Sequence, residues 1–460
     1  MKDTIIIGAG PAGYLAAERL AHKGKSVLLI EKDAIGGTCL NVGCIPTKAL
    51  IHSAKQYMHA KEASQFGIYT QNPSYNLSEM MAWKEKTIKT LNGGVTSKLK
   101  KLGVEIIKGT GIVVSQNHVK IQETDEIFES KTILIATGST PIMPNIDGVK
   151  NNPRIMDSTD LLSINYIPEN LCIIGGGVIG VEFASLFNML DSKVTVIEMQ
   201  DEIISPMDKE HSPLLRKALA NVDFKLGCKV EKIEQGQNCD TVHFSTKEGT
   251  QDSVNADTIL ICIGRKAEFA TSISDELKLA TESKGITVDN KMRTNIEGIW
   301  AAGDVNGKNM LAHSAYKMAD VATEDICNYL DGKQDSTLST MEYNAIPWVI
   351  YGSTEAAGCG LTEQEAIAQK LDIVCANIPL LMSGRFIAEH GLKAPGAVKV
   401  IAEKSTGIIV GIHIVGSYAS EIIWGASTII AQKLTIEDVK KQIFPHPTVC
   451  EVIREAVWAL

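Results

Sequence analysis

Apolar runs and glycine turns alternate along most of the chain, and one arrangement of them occurs twice. Residues 4–7 form a short apolar run, followed by Gly8-Ala9-Gly10-Pro11-Ala12-Gly13 and a helical pattern through Leu20. Residues 26–30 read as the next strand, with Glu31 at its end. The arrangement returns as the apolar run 171–174, then Gly175-Gly176-Gly177-Val178-Ile179-Gly180, a helical pattern, the strand 193–197 and Glu198. Gly8 to Glu31 and Gly175 to Glu198 are both separations of 23 residues. A later pair also matches, 132–138 with 258–264, ending in Gly138 and Gly264. Strand, glycine turn, helix, strand and acid in this order predict a dinucleotide-binding unit. The glycines let the backbone approach a pyrophosphate at the helix N-terminus, and the acid accepts hydrogen bonds from a ribose. Two such units in one chain predict two different dinucleotides.

From about Met341 the pattern changes. Strand-like stretches at 345–351, 371–378, 397–401 and 407–415 alternate with helical ones at 362–369, 420–432 and 436–442. No glycine fingerprint occurs there, so a third kind of domain is predicted. The fold class is α/β.

Composition narrows the class. A chain of 460 residues suggests about three domains, with a margin of one. The formal net charge of −9 makes nucleic acid an unfavourable partner. No apolar run approaches the length that crosses a bilayer, so no membrane is expected. A strand beginning at Thr4 leaves no room for a signal or transit peptide. Eight of the ten cysteines are scattered without pattern, which fits a reducing, cytoplasmic setting.

The other two are Cys39 and Cys44, in Cys39-Leu40-Asn41-Val42-Gly43-Cys44, followed by Ile45-Pro46-Thr47-Lys48. This spacing does not fit a zinc ribbon, whose ligands come as closer pairs. Across an undistorted helix the two Cα atoms would lie more than about 7 Å apart, beyond disulfide reach. A loop or bent turn, permitted by Asn41 and Gly43, brings them into range. A helix starting near Pro46 would direct its positive end at Cys44 and favour a thiolate. Two buried, inert cysteines are the plainer alternative, but the pair follows Glu31 by only eight residues. That neighbourhood favours a redox dithiol.

Three further features carry candidate chemistry. Glu198 is followed by Met199, Gln200 and Asp201, where a 2′-phosphate would need a basic residue, so NAD is expected over NADP. Gly303-Asp304 sets a carboxylate at the C-terminal edge of a strand, and Met310-Leu311-Ala312-His313 begins a helix that could lie against the same ligand. Near the C-terminus, His446 stands between Pro445 and Pro447 on a stiff segment, with Glu451 in the following helical turn able to orient it.

Taken together, these residues resemble the flavoprotein disulfide reductases, and among them the dihydrolipoamide dehydrogenase branch. The resemblance spans essentially the whole chain. It runs through residues 36–48, Ala136-Thr137-Gly138-Ser139, the second glycine fingerprint, Ala301-Ala302-Gly303-Asp304, and His446-Pro447-Thr448 with Glu451. It implies two Rossmann-like domains for FAD and NAD, a central domain and a C-terminal α+β dimerisation domain, at 1–140, 141–267, 268–339 and 340–460 in chain order. FAD contacts are implied at Gly8, Gly10, Gly13, Glu31, Lys32, Gly37, Thr38 and Lys48. Further ones are implied at Gly111, Thr137, Gly138, Ser139, Asp304, Met310, Leu311, Ala312 and His313. NAD contacts are implied at Gly175, Gly177, Val178, Ile179, Gly180, Glu182, Glu198, Val230 and Gly264.

By the same resemblance Cys39 is the thiol exposed to substrate and Cys44 lies against the flavin. Lys48 sits at the flavin's reactive edge, paired with Glu182, and His446 with Glu451 comes from the other subunit of a homodimer. The implied reaction is oxidation of dihydrolipoamide, on a separate lipoyl carrier protein of a 2-oxo acid dehydrogenase or glycine cleavage complex, with NAD⁺. Alternatives are another disulfide or mercuric reductase of this fold, and a non-enzymatic redox sensor or structural subunit. Four departures from the family pattern are Cys450 for serine, Thr354 for proline, Met318 for glutamate, and Lys266-Ala267 for Pro-Asn.

Overall fold

The computed structural model describes residues 1–333 and 339–460. They form two compact units, each drawn from three stretches of chain. The first comprises Met1–Ala49, Ser78–Ile142 and Gly264–Glu342; the second comprises Leu50–Leu77, Met143–Ile263 and Tyr343–Leu460.

The first unit is built on a seven-stranded sheet. Its central strand, Lys2–Ile7, pairs in parallel with Val27–Glu31 on one side and Ile127–Ile135 on the other, and Ile299–Ala301 runs beside the latter. Ile5, Ile6, Leu28, Leu29, Ile133 and Leu134 are wholly buried. Such continuous β-branched and leucine runs suit strands covered on both faces. The sheet brings Gly8, Glu31 and Gly138 to one edge, because each follows or ends a neighbouring parallel strand.

The second unit contains a five-stranded parallel sheet in the order Asp223–Leu226, Lys193–Glu198, Asn170–Ile174, Thr258–Ile261, Ile155–Met156. An antiparallel meander, Cys228–Glu234, Asp240–Thr246 and Gln251–Ala256, shares a core with it through Ile174, Ile197, Val230, Phe244 and Ile259. The same unit holds a five-stranded antiparallel sheet: Trp348–Ile350, Ala356–Gly360, Ile409–Val415, Ala397–Glu403, Ile373–Pro379. The helices Ala419–Ala431 and Glu451–Trp458 add Ile423, Ala426, Val452 and Ala456 to its core.

Two elements differ from the sequence pattern. The stretch 345–351 narrows to Trp348–Ile350, and Ala356–Gly360 is a central strand with no apolar alternation to announce it. Its small residues are required by space. A Cβ on Gly358 would lie 2.4 Å from the Trp348 ring and 2.5 Å from His413.

Lys399, only 1 % exposed, ties this sheet to residues 208–210 by bonds to Asp208 (3.1 Å), Glu210 (2.9 Å) and Glu363. A buried ammonium is tolerated because carboxylates surround it; removing one partner of such a group typically costs about 3–5 kcal/mol. Among the described residues no helix is long and apolar enough to cross a membrane, and no three histidine, cysteine or acidic residues gather as a metal site.

Candidate active site

The dithiol segment lies in the first unit. Gly36 and Gly37 turn the chain at φ +103° and +58°, and a short helix, Gly37–Val42, carries Cys39. At Gly43 (φ −147°, ψ −107°) the helix breaks, and a second one, Cys44–Glu62, begins at once. A Cβ on Gly43 would sit 2.9 Å from the Thr38 carbonyl oxygen, so the break needs glycine. The second helix starts two residues earlier than the sequence suggested. Pro46 is tolerated in its first turn, where a missing N–H costs nothing, and Thr47 Oγ1 donates to the Gly43 carbonyl at 2.6 Å. Cys44 is therefore the first residue of the helix, where the positive end favours a thiolate.

Asn41 Nδ2 donates to the carbonyls of Ile35 (3.0 Å) and Gly37 (2.9 Å), and Asn92 Nδ2 donates to Ile35 O (2.7 Å) and Asn41 Oδ1 (3.1 Å). These bonds fix the kinked segment from a distant helix, Leu77–Lys101. The two thiols are hydrogen-bonded to each other. That bond, then burial and the charge of Cys44, push the Cys39 thiol far up, while Lys48 opposes the shift.

The two glycine turns have the same construction. Gly8 (φ +96°) and Gly175 (φ +114°) take conformations closed to other residues. A Cβ on Gly13 would lie 1.8 Å from Gly8 O, and one on Gly180 would lie 2.0 Å from Gly175 O. Glu31 accepts from the N–H of Ala9 (2.6 Å) and Asp33 (2.8 Å); Glu198 accepts from Gly176 (2.5 Å) and Gln200 (2.8 Å). Gly10 and Gly177 are extended N-caps with no capping side chain; a Cβ on Gly10 would clear its nearest neighbour, Gly37 Cα, at 3.9 Å, and one on Gly177 would meet nothing within 4 Å. Such an uncapped helix end is a seat for pyrophosphate. The residues present therefore fit one dinucleotide at each turn.

Other expected FAD residues gather on the same sheet edge. Ser139 Oγ donates to Asp304 Oδ2 at 2.6 Å, and Arg265 donates to Ser139 through Nε (2.8 Å) and Nη2 (2.7 Å). Burial raises the Asp304 carboxyl, against the pull of Ser139 and Arg265. Nothing in the sequence pattern pointed to Arg265 or Asn92. Thr137 Oγ1 donates to Glu268 O and the Glu268 N–H donates to Gly138 O at 2.9 Å, pinning the turn at Gly138 (φ +77°). Gly111 packs against Ile7 and Ile30, where a Cβ would come within 3.1 Å. Met310 and Leu311 lead into the helix Ala312–Leu330, at whose first turn His313 is exposed, as are Lys32 and Thr38 nearer the dithiol.

In the second unit Val178 and Ile179 open the helix Val178–Met189, and Val230 is buried in the meander; Gly264 (φ +129°) is the first residue of the first unit's last stretch. Glu182 is buried and accepts from the Tyr351 N–H at 3.1 Å. His446 Nδ1 meets both carboxylate oxygens of Glu451 (3.0 and 3.2 Å), and Thr448 N–H donates to the same carboxylate at 2.8 Å. The Thr448 bond, then the His446 bond, hold the Glu451 carboxyl below its usual range. Glu451 is buried, yet the His446 side chain is 79 % exposed. Cys450 Sγ lies 3.0 Å from Thr448 Oγ1.

Residues 2–319 match the family model described as pyridine nucleotide-disulphide oxidoreductase, and residues 346–457 match its dimerisation domain. The chain is 34 % identical to dihydrolipoyl dehydrogenase of Geobacillus stearothermophilus, over 99 % of this chain and 95 % of that one. It is 36 % identical to the enzyme of the same name from Mycoplasma genitalium, covering 98 % and 97 % respectively. Among solved structures, the Cu(II) complex of the HOCl-induced flavoprotein disulfide reductase RclA from Escherichia coli superposes with a TM-score of 0.88. That match has 26 % identity and covers 100 % of this chain and 99 % of the other. The matched C-terminal part is a dimerisation domain, and the protein is a homodimer. The chain belongs to the pyridine nucleotide-disulphide oxidoreductase family, as an NAD-dependent flavoprotein disulfide oxidoreductase that uses FAD and NAD.

Proposed function

We propose that this enzyme is a dihydrolipoyl dehydrogenase, oxidising dihydrolipoamide on a lipoyl carrier protein with NAD⁺. The observation that carries the reading is the pair of free thiols Cys39 and Cys44, hydrogen-bonded to each other across the Gly43 break after the first dinucleotide turn. FAD belongs on that turn, with Ser139, Asp304 and the 310–313 segment beside it; NAD belongs on the second, with Glu198 at the ribose. The division into domains at 1–140, 141–267, 268–339 and 340–460 follows the same assignment, although residues 334–338 near the last boundary lie outside the described residues. The chemistry FAD supplies when bound is acceptance of two electrons from a thiolate and their transfer to NAD⁺ as hydride.

The chain's own residues perform the thiol exchange. Glu451 holds Nδ1 of His446, which leaves Nε2 to act as base. An exposed base oriented by a buried carboxylate suits a site completed by another surface, here the partner subunit. His446 takes a proton from the first substrate thiol, and the thiolate attacks Cys39 of the Cys39–Cys44 disulfide. That S–S bond breaks and Cys44 leaves as thiolate, favoured by its helix end. The second substrate thiol then displaces Cys39 and closes the cyclic disulfide of lipoamide. Lys48 supplies positive charge near the reacting sulfurs. The lipoyl carrier and a cytoplasmic location belong to the same reading.

Steady-state NAD⁺ reduction with dihydrolipoamide, run beside NADPH oxidation with glutathione disulfide, tests it. Turnover in the first assay and almost none in the second is expected. The reverse preference overturns the substrate assignment.

A further inference from the structure

We propose that Arg265 is a positioning residue of the FAD site: acting through Ser139, it fixes the Asp304 carboxylate with one oxygen held and the other left to accept from a hydroxyl of FAD. This rests on the reading that places FAD on the first glycine turn with Asp304 beside it. All three residues belong to the first unit. Arg265–Ala267 and Ser139–Pro141 pair as a two-stranded antiparallel ribbon. Ile142 N–H to Gly264 O (3.0 Å) and Glu268 N–H to Gly138 O (2.9 Å) close its two ends, so the backbone itself carries Arg265 to Ser139. Gly303 (φ +84°) turns the chain into Asp304, and a Cβ on it would lie 3.2 Å from Ala12 Cβ. Ala12 stands in the first turn of the helix Pro11–His22, whose end at Gly10 has no capping side chain. Asp304 is thus seated beside the helix end that fits a pyrophosphate.

The chemistry of the bonds fixes their direction. Arg265 grips Ser139 twice, Nε to Oγ at 2.8 Å and Nη2 to the carbonyl at 2.7 Å, a fork that holds the hydroxyl in one place. A guanidinium can only donate, and a serine hydroxyl has a single proton. With one lone pair engaged by Nε, that proton is directed to Asp304 Oδ2 at 2.6 Å. The other carboxylate oxygen, Oδ1, accepts no hydrogen bond among the described residues. A carboxylate pinned by one oxygen presents the other in a set direction, and hydrogen bonds to a charged acceptor are the strong ones. Burial pushes the Asp304 carboxyl up; the Ser139 bond and then the Arg265 charge oppose it, so the same relay that orients the group also favours its ionised form.

The test compares FAD-loaded unmodified enzyme with Arg265→Gln, Asp304→Asn and the double variant. Each is diluted across a range of pH, and released FAD is read by its fluorescence. Each single variant should weaken FAD binding about tenfold, and the double variant should bind no worse than Asp304→Asn alone, since Arg265 acts through that carboxylate. In Arg265→Gln the affinity should also fall away at a higher pH than in the unmodified enzyme, because a carboxylate that has lost its cation takes up a proton sooner. With Asp304→Asn that acid step should vanish. Losses that multiply in the double variant, or an acid step that does not move, would make Arg265 a brace of the ribbon and overturn the proposal. So would unchanged affinity in Arg265→Gln. If Arg265→Gln does not fold, Ser139→Ala, which keeps the guanidinium and cuts the link, takes its place under the same criteria. An Asp304→Asn variant that holds FAD as tightly as the unmodified enzyme would remove the FAD role of Asp304 and the proposal with it. A weakened Asp304→Asn beside a silent Arg265→Gln would remove the role of Arg265 alone.

Discussion

The two glycine turns are near copies in backbone, yet they differ in what covers them. At the first, the dithiol segment presses down: a Cβ on Gly37 would lie 2.5 Å from Gly10 Cα. At the second, nothing stands within 4 Å of where a Cβ on Gly177 would be. Val178, Met199 and Ile263, around or just after its strand ends, are exposed. Identical local chemistry thus yields opposite access. The covered turn suits a cofactor that stays through many cycles, and the open one suits a cofactor that binds and leaves.

The largest effect should come from breaking the cover. Gly37→Ala, at φ +58° and against Gly10, should give protein almost without flavin, read from its visible absorbance. Gly177→Ala should keep its flavin and instead raise the KM for NAD⁺ by at least about tenfold, since the methyl enters the pyrophosphate's space. Flavin lost from Gly177→Ala and kept in Gly37→Ala would reverse the comparison.

Acid should separate the two units next. The second contains His211 and His413, both wholly buried and both lowered by burial, His211 to about 4. Around them stand Asp208, Glu365, Lys399 and the side chain of Asn377. Their folded values lie below the unfolded 6.5, so the unfolded chain binds more protons between about pH 4 and 6.5. Stability is therefore lost as pH falls through that window, by about 3 kcal/mol for His211 alone. The histidines of the first unit, His22, His118 and His313, are not buried. Hydrogen exchange at pH 5 against pH 7 should loosen the second unit before the first. The opposite order would contradict this.

The smallest effect concerns the acids. Glu198→Ala should narrow the preference for NAD⁺ over NADP⁺ by roughly tenfold, the value of a hydrogen bond to a charged group. Equal catalytic efficiency with both cofactors in the unmodified enzyme would refute the role of Glu198.

What could be read from the residue order was whatever lies within a few residues of itself. The turns at Gly8 and Gly175, their acids, the dithiol spacing and the helical stretch at 362–369 are all local, and the structure shows Thr362 and Glu365 closing a capping box at the start of that helix. The strand Ala356–Gly360 was hidden because its small residues answer to Trp348 and His413, neither of them adjacent. The helix starts at Cys44 because Gly43 absorbs the break, so the expected start near Pro46 was two residues late. Arg265 reaches Ser139 over 126 residues and Lys399 reaches Asp208 over 191, separations that no periodicity records. His446 carried no sign of its own partner beyond Glu451.

That last point is where the account is most exposed, because it requires Cys39 and Cys44 of one subunit to work with His446 of the other. His446→Ala should lose dihydrolipoamide turnover by about 10²–10⁴-fold, the usual worth of a general base, and Cys44→Ser should be inactive in that reaction. The two mutant subunits are mixed, dissociated and reassociated, and heterodimers are verified by mass. One of the two sites in each heterodimer then has an intact dithiol facing an intact histidine. Recovery of a substantial part of the unmodified activity is the predicted result. Verified heterodimers no more active than the separate mutants would contradict a site shared between subunits.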